Sequence, residues 1–107
     1  MGYIYLASPY SHPDPFVREE RYLRAMRACI YFLRTEQHVY SPIVHCHELA
    51  KIGALPTDSD FWLSYNFTML ASAVKLVILR IEGYDISLGI SREKAKAEAL
   101  KIPVEYL

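Results

Sequence analysis

Lys75-Leu76-Val77-Ile78-Leu79-Arg80-Ile81, residues 75–81, is a near-continuous apolar run of the kind found in a strand covered on both faces. Tyr3–Ala7 (YIYLA) reads the same way and stops at Ser8-Pro9. A buried first strand therefore feeds a loop, SPYSHPDP, that holds three of the six prolines. Between the two runs the spacing turns helical. From about Pro15 to Glu36, Phe16, Leu23, Met26, Ile30 and Leu33 fall at steps of three, four or seven, with Cys29 beside them. Arg18, Arg21, Arg24 and Arg27, with Glu19 and Glu20 among them, lie largely off that stripe and read as a solvated, salt-laced face. Val39–Val44 (VYSPIV) is expected to be a second strand with Pro42 near its end, and HCHELAKIGALP a short helix ending at Gly53. Asp58 or Ser59 can N-cap a helix to about Ser72 that buries Phe61, Trp62, Tyr65, Met69 and Leu70. Glu82-Gly83-Tyr84-Asp85 is a loop, Ser87 or a neighbour caps a last helix to Leu100, and Val104–Leu107 makes a final strand.

This alternation of strand and helix predicts an α/β fold. It would be a three-layer α/β/α, Rossmann/flavodoxin-like sandwich around a four- to five-stranded, mainly parallel sheet. A chain of 107 residues without repeat, linker or low-complexity tract is one domain, residues 1–107. In open sheets of this kind ligands sit beyond the C-terminal ends of the strands. Ser8–Pro13, His45–Glu48 and Glu82–Glu93 are thereby expected around one crevice.

Composition narrows the classes further. Apolar residues make up 52% of the chain and charged residues 22%, which suits a packed core rather than a disordered segment. Lys and Arg balance Asp and Glu at a formal net charge of zero, against the basic excess of a non-specific nucleic-acid-polymer binder. Cys29 and Cys46 are too few for a disulfide scaffold, and a reduced, cytoplasmic setting is the expectation. The opening MGYIYLASPYS carries no basic leader, and the longest apolar stretch, Ala28–Leu33, is too short to cross a membrane. Nine tyrosines in so short a chain suggest a lined pocket or an interface, and a homodimer or larger homo-oligomer is expected.

The chemistry-bearing residues cluster in the second half of the crevice. On the last helix Ile90, Ala97 and Leu100 share a face, and Glu93 projects from the same face, while Arg92 and Glu98 fall about 120° from its centre, where a charge is unremarkable. A carboxylate on a packing stripe, near the start of a helix at a strand's C-terminal edge, is either a poorly hydrated nucleophile or a side chain that bends to solvent or pairs with an arginine. Burial would raise its pKa and the helix N-terminus would lower it. Ser87-Leu88-Gly89 offers a hydroxyl and unpaired N–H groups suited to a phosphate or a sugar hydroxyl, or to an ordinary helix start. His45-Cys46-His47-Glu48 invites a metal reading, because His45 and His47 would face the same way on a strand, but no second ligand pair accompanies it. One of these histidines is the better candidate for a hydrogen-bond donor or general acid in the pocket, and no metal or cofactor is expected. Cys29 reads as core. No dinucleotide-binding or P-loop glycine motif is present.

ASPYSHPDPFVREERY, SPIVHCH and GYDISLGISRE together resemble the nucleoside 2-deoxyribosyltransferase-like superfamily. They are most similar to the bacterial and phage branch described as domain of unknown function 1937, with Tyr84 where that branch usually has Trp. The resemblance covers nearly the whole chain. It implies cleavage of the N-glycosidic bond of a nucleoside or nucleoside 5′-monophosphate, with hydrolysis or transfer of the sugar and without a cofactor. By the same resemblance Glu93 is the nucleophile, Tyr5 positions it, and Ser87 binds the 5′ end of the sugar. Ser8, Tyr10, His45, His47, Asn66, Tyr84 and Gly89 complete the candidate substrate-binding set. Related enzymes usually carry Asp where this chain has Asn66 and Val74. A catalytically weak or inactive nucleotide-binding module is therefore the alternative expectation.

Overall fold

Side-chain alternation along two central strands divides the core into two halves. In the computed structural model, which describes residues 2–107, these strands are β1 (Ile4–Ala7) and β3 (Lys75–Ile78). Ile4, Leu6 and Val77 face one side and meet Ala28, Cys29 and Phe32 of α1 (Pro15–Arg34). Tyr5, Ala7, Leu76 and Ile78 face the other. There they meet Leu70 of α3 (Ser59–Ala71) and Ile90 and Ala97 of α4 (Leu88–Ala99). With β2 (Val39–Tyr40) and β4 (Val104–Tyr106) the sheet has four strands in the order β2-β1-β3-β4, every neighbouring pair parallel. α2 (Pro42–Gly53) packs on α1 and on β1. The result is the expected three-layer α/β sandwich, and the connections after β1 and β3 emerge on the same edge. No helix among the described residues is long and apolar enough to cross a membrane.

Three local expectations give way. The stretch VYSPIV is half strand and half helix: β2 stops at Tyr40, the Ser41 hydroxyl accepts from the Val44 N–H at 3.1 Å, and Pro42 opens α2. A proline has no N–H to give a strand ladder, and its fixed φ suits the first turn of a helix. β3 ends at Ile78, shorter than the apolar run that marks it: the Leu79 and Arg80 N–H groups still reach the Ala7 and Leu107 carbonyls, and the chain then turns, with the Ile81 N–H bonded to the Leu79 carbonyl at 3.0 Å.

The third difference concerns which helix faces are buried. α1 turns Ala25, Ala28, Cys29 and Phe32 inward, while Phe16, Leu23, Ile30 and Leu33 are exposed. Small side chains let a helix lie close to the strands, and Phe32 then fills the remaining space. Arg18 and Arg21 are half-buried on the inner side rather than solvated. In α3 only Leu70 is buried, and Phe61 and Tyr65 are exposed, because this helix lies largely against α4. Leu100 is likewise exposed, as the residue that caps α4.

Two substitutions test this packing. Leu6→Ala empties a fully buried site under α1 and should cost about 2–5 kcal/mol in urea unfolding. Ala54 caps α2 in the left-handed region at φ 52°, so Ala54→Gly should add roughly 0.5–1 kcal/mol with an unchanged m-value.

Candidate active site

Ser87 sets the start of α4: its hydroxyl accepts from the Ile90 N–H at 3.2 Å. Six residues on, Glu93 falls on the buried stripe between Ile90 and Ala97 and is only 7% exposed. Its carboxylate accepts a hydrogen bond from the hydroxyl of Tyr5, which is itself fully buried in β1. Burial pushes the Glu93 carboxyl from 4.5 up to about 7, and the Tyr5 bond pulls downward without prevailing. The α4 N-terminus adds little, since its field fades within the first turn and Glu93 lies in the second. Tyr5 is driven far above the ordinary phenol value by burial and then by Glu93, so it remains a proton-bearing donor.

A cavity of about 400 Å³ opens beside this pair, beyond the C-terminal ends of β1 and β3. Ser8 and Tyr10 line it from the first loop, Asn66 and Trp62 from α3, and Ser87, Gly89 and Glu93 from α4. Ser8 Oγ and Asn66 Oδ1 are both buried without a protein hydrogen-bond partner among the described residues. Buried polar atoms are seldom left so, and a ligand's hydroxyl or amide groups would complete them.

Two arginines whose part in the site the sequence does not advertise brace this cavity. Arg21 reaches in from the inner face of α1, and its Nη1 donates to the Ser11 carbonyl at 3.0 Å. Its Nη2 lies 2.5 Å from where a Cβ on Gly83 would stand, and Gly83 has φ +96°, so glycine is required there twice over. Arg21 shares its helix face with Ala25, Ala28 and Phe32, and that row of small residues is the signal that could have placed it. Arg92 donates to Asp60 Oδ1 at 2.5 Å and to Ser59 Oγ at 3.1 Å, joining the starts of α3 and α4.

Of the other candidates, three lie outside the cavity wall. His45 and His47 sit on the expected helix, so two residues apart they diverge by about 200° and do not face together as they would on a strand. His47 is buried behind Tyr10: its Nδ1 is 2.7 Å from the Tyr10 hydroxyl, its Nε2 is 3.0 Å from Glu19 Oε1, and it stacks on Tyr22. His47 thus links Glu19 to the Tyr10 hydroxyl through its two ring nitrogens. His45 stacks on Tyr65 and bonds its hydroxyl at 2.9 Å. Tyr84 packs against the core cluster of Tyr5 and Ile90. Val74 stands just before β3, at the opposite end of the sheet and 51% exposed. Among the described residues no three His, Cys, Asp or Glu side chains are placed to share a metal ion.

A family model described as Domain of unknown function (DUF1937) matches residues 2–107. No curated protein matches the chain.

The buried carboxyl has a measurable consequence for stability. The folded protein holds the Glu93 proton up to about pH 7, whereas the unfolded chain releases it near 4.5. Between those values the unfolded state binds fewer protons, so the wild type loses stability as pH rises, by about 3 kcal/mol in all. Glu93→Gln keeps an acceptor for Tyr5 without the charge. It should match the wild type in urea unfolding near pH 4 and exceed it by up to about 3 kcal/mol at pH 8. Equal stability at both pH values would mean that the carboxyl is not held out of water.

Proposed function

As the chain belongs to the family described as Domain of unknown function (DUF1937), we propose its activity from the site itself: cleavage of the N-glycosidic bond of a nucleoside or nucleoside 5′-monophosphate, through a covalent glycosyl-enzyme on Glu93. The observation that carries this reading is a buried carboxylate held by the Tyr5 hydroxyl at the wall of a cavity of about 400 Å³, large enough for a nucleoside. In the first step a Glu93 oxygen attacks the anomeric carbon. The carbon–nitrogen bond breaks, and the base leaves with the electron pair and takes a proton from water at the cavity mouth. In the second step water, or the nitrogen of another base, attacks the same carbon, gives its proton to the hydroxide left by the first step and displaces the Glu93 carboxylate. Tyr5 aims Glu93 before the attack and stabilises it as it leaves. Ser87 and the first N–H groups of α4 suit the 5′ end of the sugar, and the unpartnered Ser8 and Asn66 oxygens suit sugar or base donors. His45 and His47, outside the cavity wall, take no part in protonating the base.

Asn66 supports a second reading. It lines the cavity at the position where related enzymes carry Asp, and an amide brings no charge to an oxocarbenium-like transition state. A nucleotide-binding module without turnover would show ligand-dependent thermal stabilisation and no free base.

Chromatography of free base after incubation with a panel of nucleosides and 5′-monophosphates separates the two. Base release is expected from the wild type, falling by a factor on the order of 10³ or more in Glu93→Ala. A nucleophile must be ionised, so the rate should rise with pH to a plateau above about 7, whereas a general acid would give the opposite slope. Tyr5→Phe should lower the rate about 10- to 100-fold and move the rising limb to higher pH, because the Tyr5 bond favours the ionised carboxylate. Unchanged base release in Glu93→Ala would end the assignment.

A further inference from the structure

The outer face of α1 carries an apolar seam that no other element covers among the described residues. Phe16, Leu23 and Ile30 recur every seven residues and are 84%, 36% and 41% exposed. At about 100° per residue the three lie within roughly 20° of one line, about 180° from the centre of the buried face formed by Ala25, Ala28, Cys29 and Phe32. Leu33, on one flank, is exposed as well. A solvated face would carry polar residues at these positions. A seven-residue apolar repeat is the pattern of a helix that packs on another helix.

The charges beside the seam say what that helix is. Glu20 and Arg27 stand on the same flank, about 60° and 40° from Leu23. Both are exposed, and among the described residues neither has an ion-pair partner. Glu20 precedes Leu23 by three residues and Arg27 follows it by four, while Phe16 and Ile30 lie seven residues to either side. If a second copy of α1 is laid antiparallel across a two-fold axis at Leu23, Phe16 falls beside Ile30 of the other helix. An antiparallel two-fold pairs each flank with itself, so Glu20 falls beside Arg27 and Arg27 beside Glu20. A parallel two-fold would instead bring each flank against the opposite one, which carries Glu19, Met26 and Leu33, so Glu20 and Arg27 would not meet each other.

We propose that the chain forms a homodimer through α1, antiparallel about Leu23, with the Phe16–Leu23–Ile30 seam at its centre and two reciprocal Glu20–Arg27 pairs along one flank. The occupant is a second copy rather than an unrelated protein because the charge pattern is self-complementary only about that point. The dimer is independent of the assignment of Glu93, and it leaves the cavity uncovered, since Arg21 enters the cavity from the opposite side of α1.

Sedimentation of the full chain over a dilution series tests the pairing. The wild type should sediment as a dimer that dissociates on dilution. Leu23→Asp should be monomeric with an unchanged circular dichroism spectrum, because Leu23 is no part of the core. Glu20→Arg and Arg27→Glu each create two like-charge contacts and should raise the dimer dissociation constant about tenfold or more. The combined Glu20→Arg/Arg27→Glu variant exchanges the partners and should return it to within about threefold of the wild type. A monomeric wild type, a dimer that survives Leu23→Asp, or a double variant no better than the single ones would each overturn the proposal.

Discussion

Removing the Glu93 carboxyl from water costs more than one hydrogen bond from Tyr5 returns, which is why its pKa settles at about 7 rather than near 4.5. Such a group persists only where its surroundings are too well packed to let it turn outward. Tyr5 lies in β1, between β2 and β3, and Ile90 and Ala97 hold the flanking turns of α4 against the same core. The phenol and the carboxyl are therefore brought together by a central strand and a helix packed on the same core. A site held by strand and helix keeps its geometry better than one held by loops. The cost in folding stability and the fitness of the carboxyl for attack have the same origin, poor hydration.

Everything else about the site depends on how a parallel sheet ends. Each connection after β1 and β3 leaves the C-terminal edge with backbone groups that no strand can satisfy. The first loop is tied down by side chains from α1: Arg18 bonds the His12 carbonyl and Arg21 the Ser11 carbonyl. Arg21 also fills the space beside Gly83 in the loop after β3, so one guanidinium supports both walls of the cavity. Tyr10 is fixed from behind by His47, whose other ring nitrogen bonds Glu19. The cavity is thus preorganised by side chains on its wall, Tyr10 and Arg21, that are themselves held by hydrogen bonds within the protein.

The sequence exposes the fold through its strands. YIYLA and the apolar run from Lys75 mark β1 and β3, and the proline-rich loop and the serine at position 87 mark where the crevice lies. Glu93 stands out on helical periodicity alone, because the positions around it on the stripe are apolar. Ser8, Tyr10, Asn66, Ser87 and Gly89 all come to line the cavity. The helix that carries His45 and His47 is legible in HCHELAKIGALP, but its start is not, because the six residues VYSPIV change from strand to helix in the middle. The Ser41-Pro42 signal for that change is local, whereas the apolar run continues through it. Arg21 is hidden for a related reason: a charge beside other charges reads as solvent-facing unless the opposite face is known.

α1 has two candidate inner faces, one of large apolar residues at seven-residue spacing and one of Ala25, Ala28, Cys29 and Phe32. Summed hydrophobicity favours the first, but a helix lying across parallel strands must come close to a surface already filled by Ile4, Leu6 and Val77. Small side chains permit that approach, and large ones would hold the helix off and leave voids along the strands. The large residues are better used against another convex surface, where knobs and holes interlock. In a helix with two apolar faces, size therefore separates the face meant for the sheet from the face meant for another helix, and hydrophobicity does not.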